Sequence, residues 1–219
     1  SGGPWVRPQH AMQTVVFSET RVRGPVSFEN ALPQPQTNQG FYKDIAVLAF
    51  PTPSDDRFRI ADFRAKALYE YRYSLQPALD PTPQAATILR SVIQDITPQF
   101  TNGTLRWAVP AGDWTILRVG HTPTGAVNAP APTSGRGLEV DKLSRDAFDQ
   151  YWAGGMGPLL KHLGPLAGKS LRNALIDSYE VGCQNWTPAF REEFTKRRGY
   201  DPLLFLLSMT GRVIDSGEV

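Results

Sequence analysis

The chain has 219 residues, 41% hydrophobic and 20% charged, enough apolar material for one large domain or two small ones. Its 23 Lys and Arg face 21 Asp and Glu, for a net charge of +2 without a long basic run, which excludes the electrostatic footprint of a nucleic-acid-binding protein. The single cysteine, Cys183, excludes an internal disulfide, and no apolar run reaches the ~18 residues of a membrane-spanning helix.

No signal peptide is recognisable. The opening SGGPW and the closing DSGEV read as cut ends, so a longer parent or a processed chain is expected. Residues 1–13 read as a loop passing into a short helix near Pro8. TVVFS, from Thr14, is β-branched and aromatic and predicts a strand that Gly24-Pro25 breaks. ALPQPQTNQG is loop, and KDIAVLAFP, Lys43–Pro51, is a strand buried on both faces.

The segment 52–85 gives mixed signals, with a helix suggested over Ala65–Tyr71; residues 86–96 fit helix or strand. Leu105, Trp107 and Val109 alternate, as does the apolar run from Trp114 to Val119, which predicts a hairpin turning at Ala111-Gly112-Asp113. AVNAPAPTSGRG is a linker or site loop. Ser144 caps a helix whose Phe148, Tyr151, Trp152 and Met156 recur at helical spacing, with Gly154-Gly155 as a break. SLRNALIDS predicts a strand. Thr187-Pro188 opens a helix that Gly199 ends, and Asp201-Pro202 opens another.

The last third therefore alternates helix and strand, and the middle is antiparallel in character. The expected fold is α/β: a partial (β/α)8 TIM-like barrel interrupted by an antiparallel β insertion. Its expected parts are 1–42 as the start of the barrel, 43–125 as a strand-rich segment with the insertion, and 126–219 as the barrel's continuation.

The predicted strand 170–178 ends in DSYEVGCQNW. In a β/α fold, residues at strand C-termini face the active site. Glu180 is then a candidate general acid or base, against the plainer reading that it caps the following segment. Asn185 and Trp186 suit a sugar, since amides bind hydroxyls and an indole stacks on ring faces. Glu139 and Asp141 alternate about Val140, so both side chains share one face of an extended segment. Paired carboxylates serve proton transfer or a hard metal; the alternatives are pairing with Lys142 or Arg136, or capping. His121 follows the expected hairpin and fits a cleft wall, His162 a helix surface. Trp5 offers a flat platform or a buried anchor. HExxH, GxSxG, P-loop and dinucleotide signatures are lacking.

Taken together, GGPWVRP, FYKDIAVLAFP, LRWAVPAGDWTILRVGHTPTG, GRGLEVDKLS and DSYEVGCQNWTPAFREEFTKRRGYDP resemble the catalytic region of glycoside hydrolase family 106, over nearly the whole chain. The resemblance implies an α-L-rhamnosidase that inverts the anomeric centre. It also implies an association with calcium, with metal ligands unassigned, and export to the periplasm or medium of a bacterium. It implies Glu180 as general acid, with Trp5, His121, Glu139, Asp141, Asp177, Asn185 and Trp186 as substrate-binding or site-shaping residues. The partner carboxylate is expected in the remainder of a longer parent, with Glu139 as the substitute within the chain. The expected partner is a carbohydrate, not nucleic acid or membrane. The alternatives are a non-catalytic carbohydrate-binding or structural fragment, or a barrel glycosidase for another sugar.

Overall fold

The computed structural model describes residues 2–60, 82–173, 175 and 181–216. The helix expected over Ala65–Tyr71 lies outside them, as do Asp177 and Glu180. The chain divides into two units: Ser1–Thr14 with Thr37–Tyr42 and Thr122–Ala189, and Val15–Gln36 with Lys43–His121 and Phe190–Val219.

The second unit is organised by a sheet of β2 (Gln13–Ala31), β6 (Thr104–Pro123), β3 (Lys43–Pro51) and β4 (Gln94–Asp95), in that order, with β5 (Phe100–Thr101) also on β6. Leu105, Trp107 and Val109 point inward and alternate with solvent-facing Arg106, Ala108 and Pro110, the period-2 pattern of a half-buried strand. With Leu32, Val47, Ala49, Ile96, Trp114 and Ile116 they form the core, in which Trp107 meets Trp114 edge-on at 5.4 Å. The strand expected at Lys43–Pro51 has those bounds, and Ala46–Phe50 are buried as its apolar run requires.

Two local expectations fail in this sheet for identifiable reasons. No turn occurs at Ala111-Gly112-Asp113; β6 runs straight through it for 20 residues. The hairpin turn is Asn102-Gly103, both at positive φ (49° and 83°), joining β5 to β6 with Thr101 opposite Thr104. Asn-Gly is the pair that a two-residue hairpin turn favours. Gly24-Pro25 does not end β2 either: the strand continues to Ala31. At Gly24 the backbone packs so closely on the Pro110 carbonyl that a Cβ would collide with it.

The first unit pairs β1 (Gly2–Gly3) with β7 (Leu138–Glu139), and adds antiparallel bridges from Ala11 to Val140 and from Gln13 to Trp186. Ser144 caps α1 (Arg145–Gly154) as expected, its Oγ accepting the Ala147 amide at 3.3 Å. Gly155 separates α1 from α2 (Met156–Leu163), and Val6, Ala11, Val140 and Ala147 form the core beneath. Trp5 rests on this junction: a Cβ added at Gly154 would stand 2.6 Å from the indole Cγ, and one at Gly155 2.7 Å from Cζ2. Gly154→Ala is therefore expected to displace the Trp5 ring and destabilise the unit by about 1–3 kcal/mol, the usual range for overpacking. A shifted, weakened thermal transition with quenched or red-shifted tryptophan emission would register it.

The expected (β/α)8 barrel is not the architecture. The sheets are open, and the pairings with resolved register are all antiparallel. A barrel of that kind needs parallel strands joined by helices. The helices α1, α2 and α3 (Phe190–Arg198) are the α-helices among the described residues, and none of them links parallel strands of a sheet. The barrel reading leaned on SLRNALIDS as a buried strand. Among the described residues of that run, Leu171 makes only a bridge to Ala167, and Leu175 is 85% exposed.

Candidate functional site

The candidate residues of the first unit converge on Asp141. The strand pairing that begins at β7 continues through the Val140–Ala11 bridge. The Asp141 amide donates to the His10 carbonyl at 2.9 Å, which fixes its backbone. Its side chain is 1% exposed. Oδ1 accepts the Leu143 amide at 2.9 Å and the Gln184 Nε2 at 2.7 Å, and Oδ2 accepts the Thr187 hydroxyl at 2.7 Å. Buried carboxylates need such donors on both oxygens to offset lost hydration. Glu139, two residues back on the same face, is 2% exposed and takes the Lys142 ammonium at 3.1 Å.

Gln13 holds the same loop from the other side. It is 1% exposed, its Nε2 donates to Ala11 O at 2.7 Å and Pro8 O at 3.0 Å, and its carbonyl accepts the Asn185 amide at 3.2 Å. The Gln184 amide also reaches Trp186 O at 3.2 Å. The turn 184–187 is thus stitched to two neighbouring segments, four residues beyond Glu180 in the chain.

The predicted site residues fall as follows. Glu139, Asp141 and Asn185 come together in the first unit. Trp186 bridges Gln13 and is 7% exposed, so its indole is an anchor in the packing and presents little face to solvent. Trp5, also in this unit, is 39% exposed on its glycine seat and lies 6.2 Å from the Tyr151 ring. His121 belongs to the second unit, 5% exposed and opposite Lys43 in the β3–β6 ladder. Thr187 does not cap a helix: α3 begins at Phe190, and the hydroxyl is given to Asp141. Sequence reasoning did not pick out Gln13 or Thr187. The signal available for Thr187 was its place three residues after Gln184 in a polar run, and for Gln13 there was none.

Glu139 and Asp141 do not fit a calcium ion. Three protein donors occupy the Asp141 oxygens, and an ammonium neutralises Glu139; a dication needs those same oxygens free of N–H and O–H donors. Among the described residues no group of three His, Cys, Asp or Glu is placed to hold a metal. No helix among them is long and apolar enough to cross a membrane.

Known proteins resemble the chain throughout. The sequence profile of glycoside hydrolase family 106, described as α-L-rhamnosidase, matches residues 1–55 and 41–219. A Formosa agariphila protein named "Putative beta-glucuronidase" is 49% identical over 221 residues, covering 100% of this chain and 19% of that protein. The solved rhamnosidase from Novosphingobium sp. PP1Y superposes with a TM-score of 0.79 at 24% identity, over 99% of this chain and 34% of that one, a likeness of fold. The chain thus spans about a fifth of its curated relative and a third of the solved enzyme. By a family profile that runs its full length, the chain belongs to glycoside hydrolase family 106.

Proposed function

We propose that the chain is the part of an α-L-rhamnoside hydrolase that carries its general acid, Glu180, and that the reaction inverts the anomeric centre. The observation that carries this reading is the family profile matching end to end, through the SYE segment itself. Glu180 protonates the departing glycosidic oxygen as the C1–O bond breaks. A second carboxylate takes a proton from the water that attacks the opposite face of C1, and it must stand ~6.5–9.5 Å away to leave room for that water. Glu139 is poorly suited to that second role, being buried against Lys142. We assign the role to the part of the parent protein outside residues 1–219, since the chain spans 34% of the solved enzyme.

A uronic acid substrate is the second reading, favoured by the name of the Formosa agariphila relative. The electrostatics oppose it. Among the described residues around the Asp141 knot, the charged side chains are Glu139, Asp141 and Lys142, and Lys142 already serves Glu139. A substrate carboxylate placed there would meet net negative charge, and arginine is the residue suited to bind it. A neutral 6-deoxy sugar meets no such penalty.

Proton NMR of fresh reaction mixtures tests both points on the parent enzyme. β-L-rhamnose is expected as the first product from an α-L-rhamnoside, with at least ~100-fold lower kcat/KM on a β-D-glucuronide. α-L-rhamnose as first product would remove inversion, and preference for the glucuronide would remove the sugar assignment. Calcium stays an independent proposal, checked by whether chelation lowers that turnover; no step above passes through it.

A further inference from the structure

Asp141 is placed by its position, by its chemistry and by the family resemblance among the residues expected to meet the sugar, yet every described contact of its carboxylate is internal. Both oxygens are turned to the chain: Leu143 N and Gln184 Nε2 on Oδ1, Thr187 Oγ1 on Oδ2. At 1% exposure it has no surface to offer a ligand. Two of its three donors come from residues 43 and 46 positions away in sequence. Those two donors flank Asn185 and Trp186, and the Asn185 amide is itself bound to Gln13 O at 3.2 Å.

We infer that Asp141 is a positioning residue. It fixes the 184–187 turn as the C-terminal anchor of the segment bearing Glu180, and so sets where that acid meets the glycosidic oxygen. This rests on the reading of Glu180 as general acid given above. The physical basis is the charge. A carboxylate binds N–H and O–H donors about twice as strongly as a neutral acceptor does, and in a buried setting no water competes for them. One side chain thereby clamps the two ends of a four-residue turn. Misplacement of a reacting group by about 1 Å from a change remote from the chemistry lowers rates on the order of 10²-fold.

The test uses the parent enzyme with Asp141→Ala, Asp141→Asn, Thr187→Val and the double variant Asp141→Ala/Thr187→Val. Two readouts are taken: kinetics on an α-L-rhamnoside, and hydrogen exchange at the Asn185 and Thr187 amides. Asp141→Ala is expected to lower kcat about 100-fold with KM changed less than about threefold, and to speed exchange at the turn. Thr187→Val loses roughly tenfold, and the double variant is no worse than Asp141→Ala, because both changes break one clamp. Asp141→Asn, which keeps an acceptor for Gln184 and Leu143, recovers part of the rate. Unchanged exchange at the turn in Asp141→Ala would overturn the inference whatever the activity, as would additive losses in the double variant. A rise in KM with kcat intact would show direct sugar contact and also overturn it. If exchange rises as expected but the unmodified enzyme hydrolyses no glycoside, the clamp stands and the functional reading fails. Should Asp141→Ala not fold, Thr187→Val carries the same two readouts.

Discussion

Arg212→Met is expected to lower the stability of the second unit by about 3–5 kcal/mol, the range for removing one member of a buried ion pair. Arg212 is 1% exposed. Its guanidinium donates to Glu19 Oε1 at 2.5 Å and Oε2 at 2.9 Å, and to Asp56 Oδ1 at 2.8 Å and Oδ2 at 3.0 Å. It also lies 5.2 Å from the Phe50 ring centre. The three partners come from β2, from the loop after β3 and from the segment near the end of the chain, so this one side chain ties together regions 156 and 193 residues apart. Methionine fills much of the volume but leaves two carboxylates facing each other. Arg21 and Arg59 still reach Asp56, so Glu19 bears most of the loss. A triple change of Arg212, Glu19 and Asp56 to apolar residues is expected to recover most of the stability, because it removes the charges together. Denaturant unfolding followed through Trp107 and Trp114 measures both; an Arg212→Met variant within about 0.5 kcal/mol of the parent would contradict the account.

The same cluster sets an acid limit. Burial acts to raise the Asp56 carboxyl pKa, but the hydrogen bond and charge of Arg212, with the charges of Arg59 and Arg21, outweigh it and hold the group below its ordinary value. A depressed carboxylate contributes stability that is present above the unfolded-state value of about 3.9 and is lost as pH falls through the folded one. Acid unfolding of the second unit is therefore expected to steepen below about pH 4, and Asp56→Asn to flatten that limb. A limb of equal slope in the variant would remove Asp56 from the explanation.

Glu180→Gln carries the other large expected effect, a fall in turnover of roughly 10²–10⁴-fold. Glutamine keeps the size of the side chain and loses the proton. A general acid matters in proportion to how badly the leaving oxygen needs that proton. The loss should be greatest for an alkyl or glycosyl rhamnoside and much smaller for a nitrophenyl rhamnoside, whose leaving group departs as a stabilised anion. Thermal stability should be unchanged, which separates lost chemistry from lost folding. Equal losses on both kinds of substrate would move Glu180 out of the acid role.

The sequence was most legible where a local rule is also the global one. The β3 run from Ala46 to Phe50 is buried because nothing but a core strand accommodates it, and Ser144 caps α1 because its hydroxyl meets an orphan amide three residues on. The β6 strand shows the limit. Gly112 and its neighbours carry a turn composition, but β6 passes through because its halves find different partners, β5 for one and β3 for the other. The barrel expectation failed for a related reason. Alternating helix and strand signals do not reveal whether strands pair in parallel, and the run at 170–178 carried more of that reading than its described residues bear out. At the site, the alternation of Glu139 and Asp141 correctly put both on one buried face. What it did not show is that Asp141 spends its oxygens on Gln184 and Thr187, since contacts across 43 and 46 residues leave no trace in a local pattern.

The most direct test of the central claim, that this chain supplies the acid of a rhamnoside hydrolase, is the leaving-group dependence of the Glu180→Gln rate. Turnover of methyl and 4-nitrophenyl α-L-rhamnosides is compared in the parent enzyme and the variant. The account predicts a loss at least ~100-fold larger on the methyl glycoside than on the nitrophenyl one. Losses that match on the two substrates, or a variant as active as the parent on both, would contradict it.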